Sequence, residues 1–138
     1  MTAHDIKSFK ILLIDDDPTF ALLMRKTAAS RDIHLVTAES LVELGTFANI
    51  KNYDGVILDY MLPHLDGMEI AEYIDTFFGE IPVVMVSGTD INEEPNLKWP
   101  QSIRKFVPKS KGPYAILETL VSELNRIQFL KQFELTMG

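Results

Sequence analysis

Four places along the chain carry side chains that together could handle a phosphoryl group and a divalent cation. Three consecutive aspartates, Asp15–Asp17, follow a short apolar run, and Asp59 follows another. Ser87 ends a third apolar run, and Lys109 follows a fourth. Clustered carboxylates repel one another unless a cation holds them, and oxygen ligands without His or Cys suit Mg²⁺. An aspartate beside that ion could accept a phosphoryl group as a nucleophile, while the lysine and the hydroxyl would bind its oxygens.

The elements that must position these side chains alternate along the chain. Apolar runs predict strands at residues 10–14, 33–37, 55–58, 81–86 and 105–107. Helical spacing of apolar residues predicts helices at residues 18–30, 40–50, 66–78 and from residue 113 onward. Continuous apolar strands that alternate with helices indicate a parallel sheet covered by helices on both faces. In such a sheet ligands bind outside the carboxyl ends of the strands, so we expect the four places to converge there.

The helical segments also indicate which faces should be buried. Asp17 followed by Pro18 is typical of a helix start, with an N-cap acid and then proline in the first turn. Each of the other three helices is expected to bury one apolar face. Their predicted inward residues are Leu41, Leu44 and Ala48 in the second helix, Ile70, Ile74, Phe77 and Phe78 in the third, and Leu117, Leu120, Val121, Leu124 and Ile127 in the last.

Length and composition favour one globular domain. The chain has 138 residues, 46% of them hydrophobic, and a formal net charge of −7, which argues against direct binding to nucleic acid or an anionic membrane. Without cysteine there are no disulfides or Cys-ligated metals, and no apolar stretch approaches the ~18 residues of a membrane span. We expect no signal peptide, no membrane insertion and a cytoplasmic location. The expected organisation is an N-terminal extension (1–9), one domain (10–127) and a C-terminal extension of the last helix (128–138).

Four stretches of the chain, taken in order, resemble the receiver domains of two-component response regulators, which have the CheY-like fold. They are Ile11–Pro18, Val56–Gly67, Val83–Gly88 and Phe106–Lys109. Four motifs in this order are specific, whereas any one of them alone would be weak. The resemblance implies an α/β fold, a doubly wound five-stranded parallel sheet of flavodoxin-like order 2-1-3-4-5.

The resemblance also implies a role for each acidic site residue. Asp59 would accept the phosphoryl group, and Mg²⁺ would be held by Asp15, Asp16, Asp59 and the backbone carbonyl of Met61. The phosphoryl group would come from a phosphohistidine on a sensor histidine kinase or a histidine phosphotransfer protein. Such a protein is a phosphorylation-dependent signalling switch and not an enzyme that turns over external substrates.

Three further residues would respond to the phosphoryl group in such a domain. Ser87 and Lys109 would each bind one of its oxygens. Phe106 corresponds to the aromatic residue that turns inward when the hydroxyl moves, so Ser87 and Phe106 would form the switch. Added charge and acceptor oxygens act in this way on a bistable element, and a change in partner binding follows.

The segment before and after the last strand departs from the family's pattern. The family has a fourth helix here, but Pro95 and Pro100 fall inside residues 90–104, and a proline in a helix interior costs ~3 kcal/mol or more. We therefore expect a broken, shortened or absent fourth helix. Ser110 replaces the family's usual proline after Lys109, so a cis Lys109–Ser110 bond, which costs ~2.5–4 kcal/mol before a residue other than proline, is less assured.

Two more departures bear on output and on the lifetime of the phosphorylated form. The apolar pattern of the last helix continues from Phe129 to Phe133, so this helix or the 90–104 loop could contact a downstream protein or a second copy. Folding of the same stripe back onto the domain is the alternative. Met61 and Thr89 occupy the flanking positions that tune hydrolysis in the family, and neither is an acid or a base, which predicts a long-lived acyl phosphate.

Two other functions remain open at this point. Asp15–Thr19 fits the Asp-x-Asp-x-Thr pattern of haloacid dehalogenase-type phosphohydrolases, with Ser87 and Lys109 following in order. That interpretation lacks a later acidic pair on a strand and gives Asp59 no role. The other is a receiver-shaped adaptor that never uses phosphorylation, which the departure in the fourth helix keeps under consideration.

Overall fold

A five-stranded parallel sheet forms the centre of the fold in the computed structural model, which describes residues 8–40, 43, 47–62, 66–88 and 99–137. The strands are β1 (Lys10–Ile14), β2 (His34–Ala38), β3 (Gly55–Asp59), β4 (Val83–Ser87) and β5 (Ile103–Pro108). They pair in the order β2-β1-β3-β4-β5, and every pair is parallel. The predicted fold class and strand order are confirmed.

Among the described residues, three α-helices and two short 3-10 helices with full bounds connect or follow the strands. They are α1 (Pro18–Ser30), α2 (Gly67–Phe78), α3 (Pro113–Met137) and the 3-10 helices Phe47–Asn52 and Lys109–Lys111. The prediction of a helix across 40–50 is wrong at its end, where a 3-10 helix begins at Phe47. Leu41, Leu44 and the side chain of Ala48 lie outside the described residues.

Only the last residues of the segment 90–104, where a broken or absent fourth helix was predicted, are described by the structure. Most of the segment, residues 89–98, lies outside the described residues. Residues 99–102 are not helical, and Ile103 and Arg104 already belong to β5. The strand therefore starts two residues earlier than the apolar run from residue 105 indicated, because Ile103 is followed on this sheet edge by the exposed, charged Arg104, which interrupts the apolar pattern.

Two hydrophobic layers cover the sheet, one on each face. Side chains alternate across a strand, so Ile11 and Leu13 of β1 pack with α1 and α3, whereas Leu12 and Ile14 pack with α2. From α3 the buried residues are Ile116, Leu117, Leu120 and Leu124. This two-sided burial explains why the central strands carry apolar residues at consecutive positions between their ends.

One predicted core residue of α2 is exposed. Ile70, Ala71 and Ile74 are buried and Phe78 packs partly against them, but Phe77 is 64% exposed. At about 100° per residue, Phe78 lies nearer the middle of the face that Ile70, Ala71 and Ile74 bury, and Phe77 lies towards the edge of that face. Phe77 instead stacks on Tyr73 at the surface, with ring centroids 6.2 Å apart.

The last helix continues well beyond the sheet. α3 has 25 residues, about 37 Å at 1.5 Å per residue, and it runs without a break through the expected boundary after residue 127. Phe129 is 65% exposed and Phe133 is 53% exposed. The alternative in which this stripe folds back onto the domain is therefore wrong. No helix in the described part of the chain is long and apolar enough to span a membrane.

Candidate functional site

The aspartate run after β1 is held at the sheet edge by its own backbone. The Asp15 N–H donates to the carbonyl of Ala38 at 3.0 Å, which keeps Asp15 in line with the sheet and buried. The Asp15 carboxylate accepts the N–H of Asp17 at 2.8 Å. Asp17 in turn caps α1 by accepting the N–H groups of Thr19 and Phe20, which confirms its predicted role. Asp16 and Asp17 are both exposed, but the Asp17 carboxylate is used as a cap, so Asp16 is the exposed aspartate that groups with the buried Asp15 carboxylate.

Asp59 is the last residue of β3 and is also buried. Its carboxylate accepts the N–H of Met61 at 3.1 Å, and the Tyr60 N–H donates to Val86 of β4 at 2.8 Å. These bonds fix the turn that carries the Met61 backbone beside the Asp59 carboxylate. The Met61 side chain points outward and is 65% exposed.

Gly67 allows the start of α2 to lie against this turn. A Cβ atom at Gly67 would be 2.4 Å from the Asp59 carbonyl oxygen and 2.8 Å from the Tyr60 Cα. The Gly67 N–H donates to the Tyr60 carbonyl at 2.8 Å. Any side chain at this position would therefore push on the backbone that carries Asp59, which gives a physical reason for the Asp66-Gly67 pair in the sequence.

Three carboxylates and one ammonium meet at this edge, as predicted. Carboxylate oxygens of Asp15, Asp16 and Asp59 lie within 4.8 Å of one another. The Lys109 Nζ lies 2.8 Å from Asp15 Oδ2 and 3.5 Å from Asp59 Oδ2. One ammonium cannot neutralise three carboxylates, so the edge keeps an excess of negative charge.

Burial and mutual charge shift the ionisation of this cluster. Burial raises the pKa of the Asp15 carboxyl to about 6, and the charge of Asp59 acts in the same direction, against the ammonium of Lys109. Burial acts to lower the pKa of Lys109, but the carboxylates of Asp15 and Asp59 outweigh it and hold that pKa above its ordinary value.

The donor set fits a hard divalent cation. Asp15 Oδ2 is buried, and it is paired with the Lys109 ammonium without a hydrogen bond of good geometry. The Asp15 carboxylate can therefore bind a further positive charge, and the carboxylates of Asp16 and Asp59 can bind the same cation. Oxygen ligands from one or two carboxylates, completed by water and a phosphoryl oxygen, are what Mg²⁺ takes in proteins.

Ser87 and Lys109 come from neighbouring strands. Ser87 is the buried last residue of β4 and lies opposite Pro108 in the register of β5. Lys109 opens the 3-10 helix that follows β5, and the Lys109–Ser110 peptide bond is trans. Of the predicted flanking pair, Thr89 lies outside the described residues.

Phe20 is a site neighbour that the sequence did not reveal. The Lys109 Nζ lies 4.6 Å from the centroid of its ring. Phe20 is buried on the first turn of α1, two residues after the Pro18 that starts the helix. The signal that could have found it is its place in the turn that follows the aspartates, because that turn lies at the same sheet edge as Lys109.

The sequence model of the response regulator receiver domain matches residues 11–121. This match covers the sheet, the aspartate run, Asp59, Ser87 and Lys109. The chain therefore belongs to the response regulator receiver domain family, whose members are phosphorylation-dependent signalling switches. The match favours the receiver interpretation over the phosphohydrolase alternative.

Curated relatives share part of their length with this chain. The response regulator MprA of Mycobacterium sp. strain KMS is 28% identical over 112 residues, which are 80% of this chain and 47% of that protein. The C4-dicarboxylate transport transcriptional regulatory protein DctD of Pseudomonas aeruginosa is 31% identical over 80 residues, which are 57% of this chain and 17% of that protein. The chain thus spans less than half of either relative.

Solved structures show the same fold. A CheY-like receiver domain protein from Methanospirillum hungatei superposes with a TM-score of 0.76 at 20% identity, covering 88% of this chain and 98% of that one. The response regulator TrrA of Thermotoga maritima, in complex with Mg²⁺ and BeF, has a TM-score of 0.70 at 25% identity over 84% of this chain and 98% of that one.

Proposed function

We propose that the chain takes a phosphoryl group from a phosphohistidine onto Asp59 in the presence of Mg²⁺ and changes its partner binding as a result. The donor would be a sensor histidine kinase or a histidine phosphotransfer protein, and the exchange would take place in the cytoplasm. The observation that carries the proposal is the meeting of Asp59, Asp15, Asp16 and Lys109 at the carboxyl edge of the sheet. A buried aspartate at a strand end can accept a phosphoryl group only if a cation and a lysine offset the negative charge of the incoming group.

The transfer is an in-line displacement at phosphorus. A carboxylate oxygen of Asp59 forms the new O–P bond while the N–P bond of the phosphohistidine breaks, and the electron pair of that bond returns to the departing imidazole. Bound Mg²⁺ would supply positive charge to the transferring oxygens, and Asp15, Asp16 and the Met61 carbonyl would hold it beside Asp59. Because this end of the sheet is closely packed, the incoming group would approach from the exposed side, where Asp16 lies.

Lys109 and Ser87 would hold the transferred group. The Lys109 ammonium is already 3.5 Å from Asp59, so it needs only to turn from the carboxylates towards a phosphoryl oxygen. Ser87 ends the neighbouring strand β4, and its hydroxyl would donate to a second oxygen. Movement of Ser87 would then be passed to Phe106 on β5, the proposed switch residue.

The resulting acyl phosphate is proposed to be long-lived. Its hydrolysis needs a water molecule oriented towards phosphorus, and a side chain with an acid, base or amide group provides that orientation. The exposed Met61 side chain beside the site has none of these groups.

The far half of α3 is the proposed contact with a downstream protein or a second copy. Phe129 and Phe133 lie one helical turn apart and are both more than half exposed. Light scattering of the purified protein with and without phosphorylation, beside Phe133→Ser, distinguishes these partners. A concentration-dependent dimer that Phe133→Ser dissociates identifies a second copy, and a monomer in all cases excludes one.

The proposal is tested by intact mass after incubation with acetyl phosphate, with and without Mg²⁺. Wild type is expected to gain one phosphoryl group only with Mg²⁺, and Asp59→Asn is expected to gain none. Asp32→Asn is the matched control, because Asp32 is exposed and lies in a turn at φ 60°, which asparagine tolerates. No gain in wild type, or an equal gain in Asp59→Asn, contradicts the proposal. No gain in wild type would favour the receiver-shaped adaptor that never uses phosphorylation.

A further inference from the structure

Trp99, the single tryptophan of the chain, packs against the ring of Phe106. The two ring centroids are 6.0 Å apart, and the planes meet at 64° in an edge-to-face contact. Both side chains are half-buried and adjoin the hydrophobic cluster between the sheet and α2. Aromatic pairs in this geometry contribute stability beyond the area that they bury.

The turn that carries Trp99 is anchored on two sides. Asp75 of α2 accepts both the N–H and the hydroxyl of Ser102, each at 2.9 Å, and Ser102 is fully buried. The Ser102 carbonyl accepts the N–H of Val83 at the start of β4 at 2.7 Å. The Ile103 N–H donates to the Pro100 carbonyl at 3.0 Å. The residues that follow Trp99 therefore form a fixed support, to which Pro100 contributes a backbone acceptor.

Phe106 lies between this support and the phosphoryl-binding end of β4. In the register of the sheet Phe106 is opposite Met85, and Met85 and Ser87 share one face of β4 because side chains alternate. Ser87 is therefore the diagonal neighbour of Phe106, at a separation that an aromatic side chain can span. Under the proposed function a movement of Ser87 would be accompanied by a movement of Phe106, and the contact with Trp99 would limit the movement of Phe106.

We infer that Trp99 is a positioning residue for Phe106, which holds the ring in the arrangement described here and so opposes the rearrangement that phosphorylation of Asp59 causes. The inference rests on the proposed function, because it needs Phe106 to respond to the phosphoryl group. A contact made in one of two arrangements shifts their equilibrium by its own free energy. Loss of an edge-to-face pair is accordingly expected to favour the phosphorylated arrangement about two- to tenfold.

Beryllofluoride, a mimic of the phosphoryl group, gives an equilibrium test. Its apparent affinity in the presence of Mg²⁺ is measured by thermal stabilisation of wild type, Trp99→Leu and Trp99→Phe. Trp99→Leu is expected to bind beryllofluoride about two- to tenfold more tightly than wild type, and Trp99→Phe, which keeps an aromatic ring, is expected to lie near wild type. Phe77→Leu is the matched control, because it removes an exposed aromatic pair with Tyr73 on α2, and it should not change the affinity.

Fluorescence tests the same contact without altering Trp99. Because the chain has no other tryptophan, its emission reports on the surroundings of Trp99, which include the Phe106 ring, and we expect it to change with beryllofluoride and Mg²⁺. Phe106→Leu should remove most of the change while Asp59 is still phosphorylated, as measured by intact mass. A purely structural role for Trp99 would lower stability in Trp99→Leu without altering the affinity or the emission response.

The outcomes separate this inference from the proposed function. If wild type gains no phosphoryl group and is not stabilised by beryllofluoride, the proposed function fails and the inference fails with it. If wild type is phosphorylated but its Trp99 emission is unchanged, or if Trp99→Leu binds beryllofluoride no more tightly than wild type, the inference alone is overturned.

Discussion

Replacing Gly67 by alanine should disturb the site through the backbone and not through any functional group. The new Cβ would be 2.4 Å from the Asp59 carbonyl oxygen, about 1 Å closer than an ordinary contact. The atoms that it meets belong to the backbone, so the strain cannot be relieved by a change of rotamer. Overpacking of this kind costs about 1–3 kcal/mol, and the better helix propensity of alanine returns at most about 1 kcal/mol. We expect a net loss of about 1–2 kcal/mol in the free energy of unfolding.

Urea unfolding followed by circular dichroism measures this loss, and the rate of phosphorylation by acetyl phosphate measures the effect on Asp59. Gly67→Ala should unfold at lower urea and should be phosphorylated more slowly. Gly88→Ala is the matched control, because a Cβ there meets no atom within 4 Å, and its stability should change by less than about 0.5 kcal/mol. If Gly67→Ala unfolds at the wild-type urea concentration and is phosphorylated at the wild-type rate, the account of this turn is wrong.

Three further changes test the support, the charge and the chemistry of the site. Asp75→Ala should lower the free energy of unfolding by about 1–3 kcal/mol in urea titrations, because it leaves two buried donors of Ser102 without a partner; a stability equal to wild type would contradict this. Asp59→Asn should raise the melting temperature without Mg²⁺, because it removes one of three clustered carboxylates. With Mg²⁺ at ten times its Kd, wild type should gain about 1.4 kcal/mol and the variant less, and equal gains would exclude Asp59 as a ligand. Met61→Gln should shorten the lifetime of the acyl phosphate several-fold, because the amide can orient water. The lifetime is measured by intact mass over time, and an unchanged lifetime would mean that residue 61 does not control hydrolysis.

The site could be predicted because it depends on backbone topology. A parallel sheet brings the carboxyl ends of its strands to one edge, so Asp15, Asp59 and Lys109 meet there although they are far apart in the chain. Asp17 could be assigned as a helix cap because capping is local and needs only the residues that follow it. Strand order was available from the resemblance and was confirmed by the pairing.

The features that sequence could not reveal depend on contacts between elements. The Lys109 ammonium lies against the ring of Phe20, and Ser102 donates two hydrogen bonds to Asp75. Both contacts join residues far apart in the chain, and no sequence periodicity indicates that they meet. Phe77 was wrongly predicted to face inward, because the apolar pattern of this helix does not show which of two adjacent phenylalanines is buried. The packing of α2 on the sheet determines it.

The central claim is that Asp59 itself carries the phosphoryl group. After incubation with acetyl phosphate and Mg²⁺, borohydride reduces a phosphorylated aspartate to homoserine, and peptide mapping then locates it. Homoserine is expected at Asp59 and at no other aspartate. Homoserine at Asp15 or Asp16, or a stable phosphoester on Ser87, would contradict it and would mean that this edge of the sheet carries out a different phosphoryl chemistry.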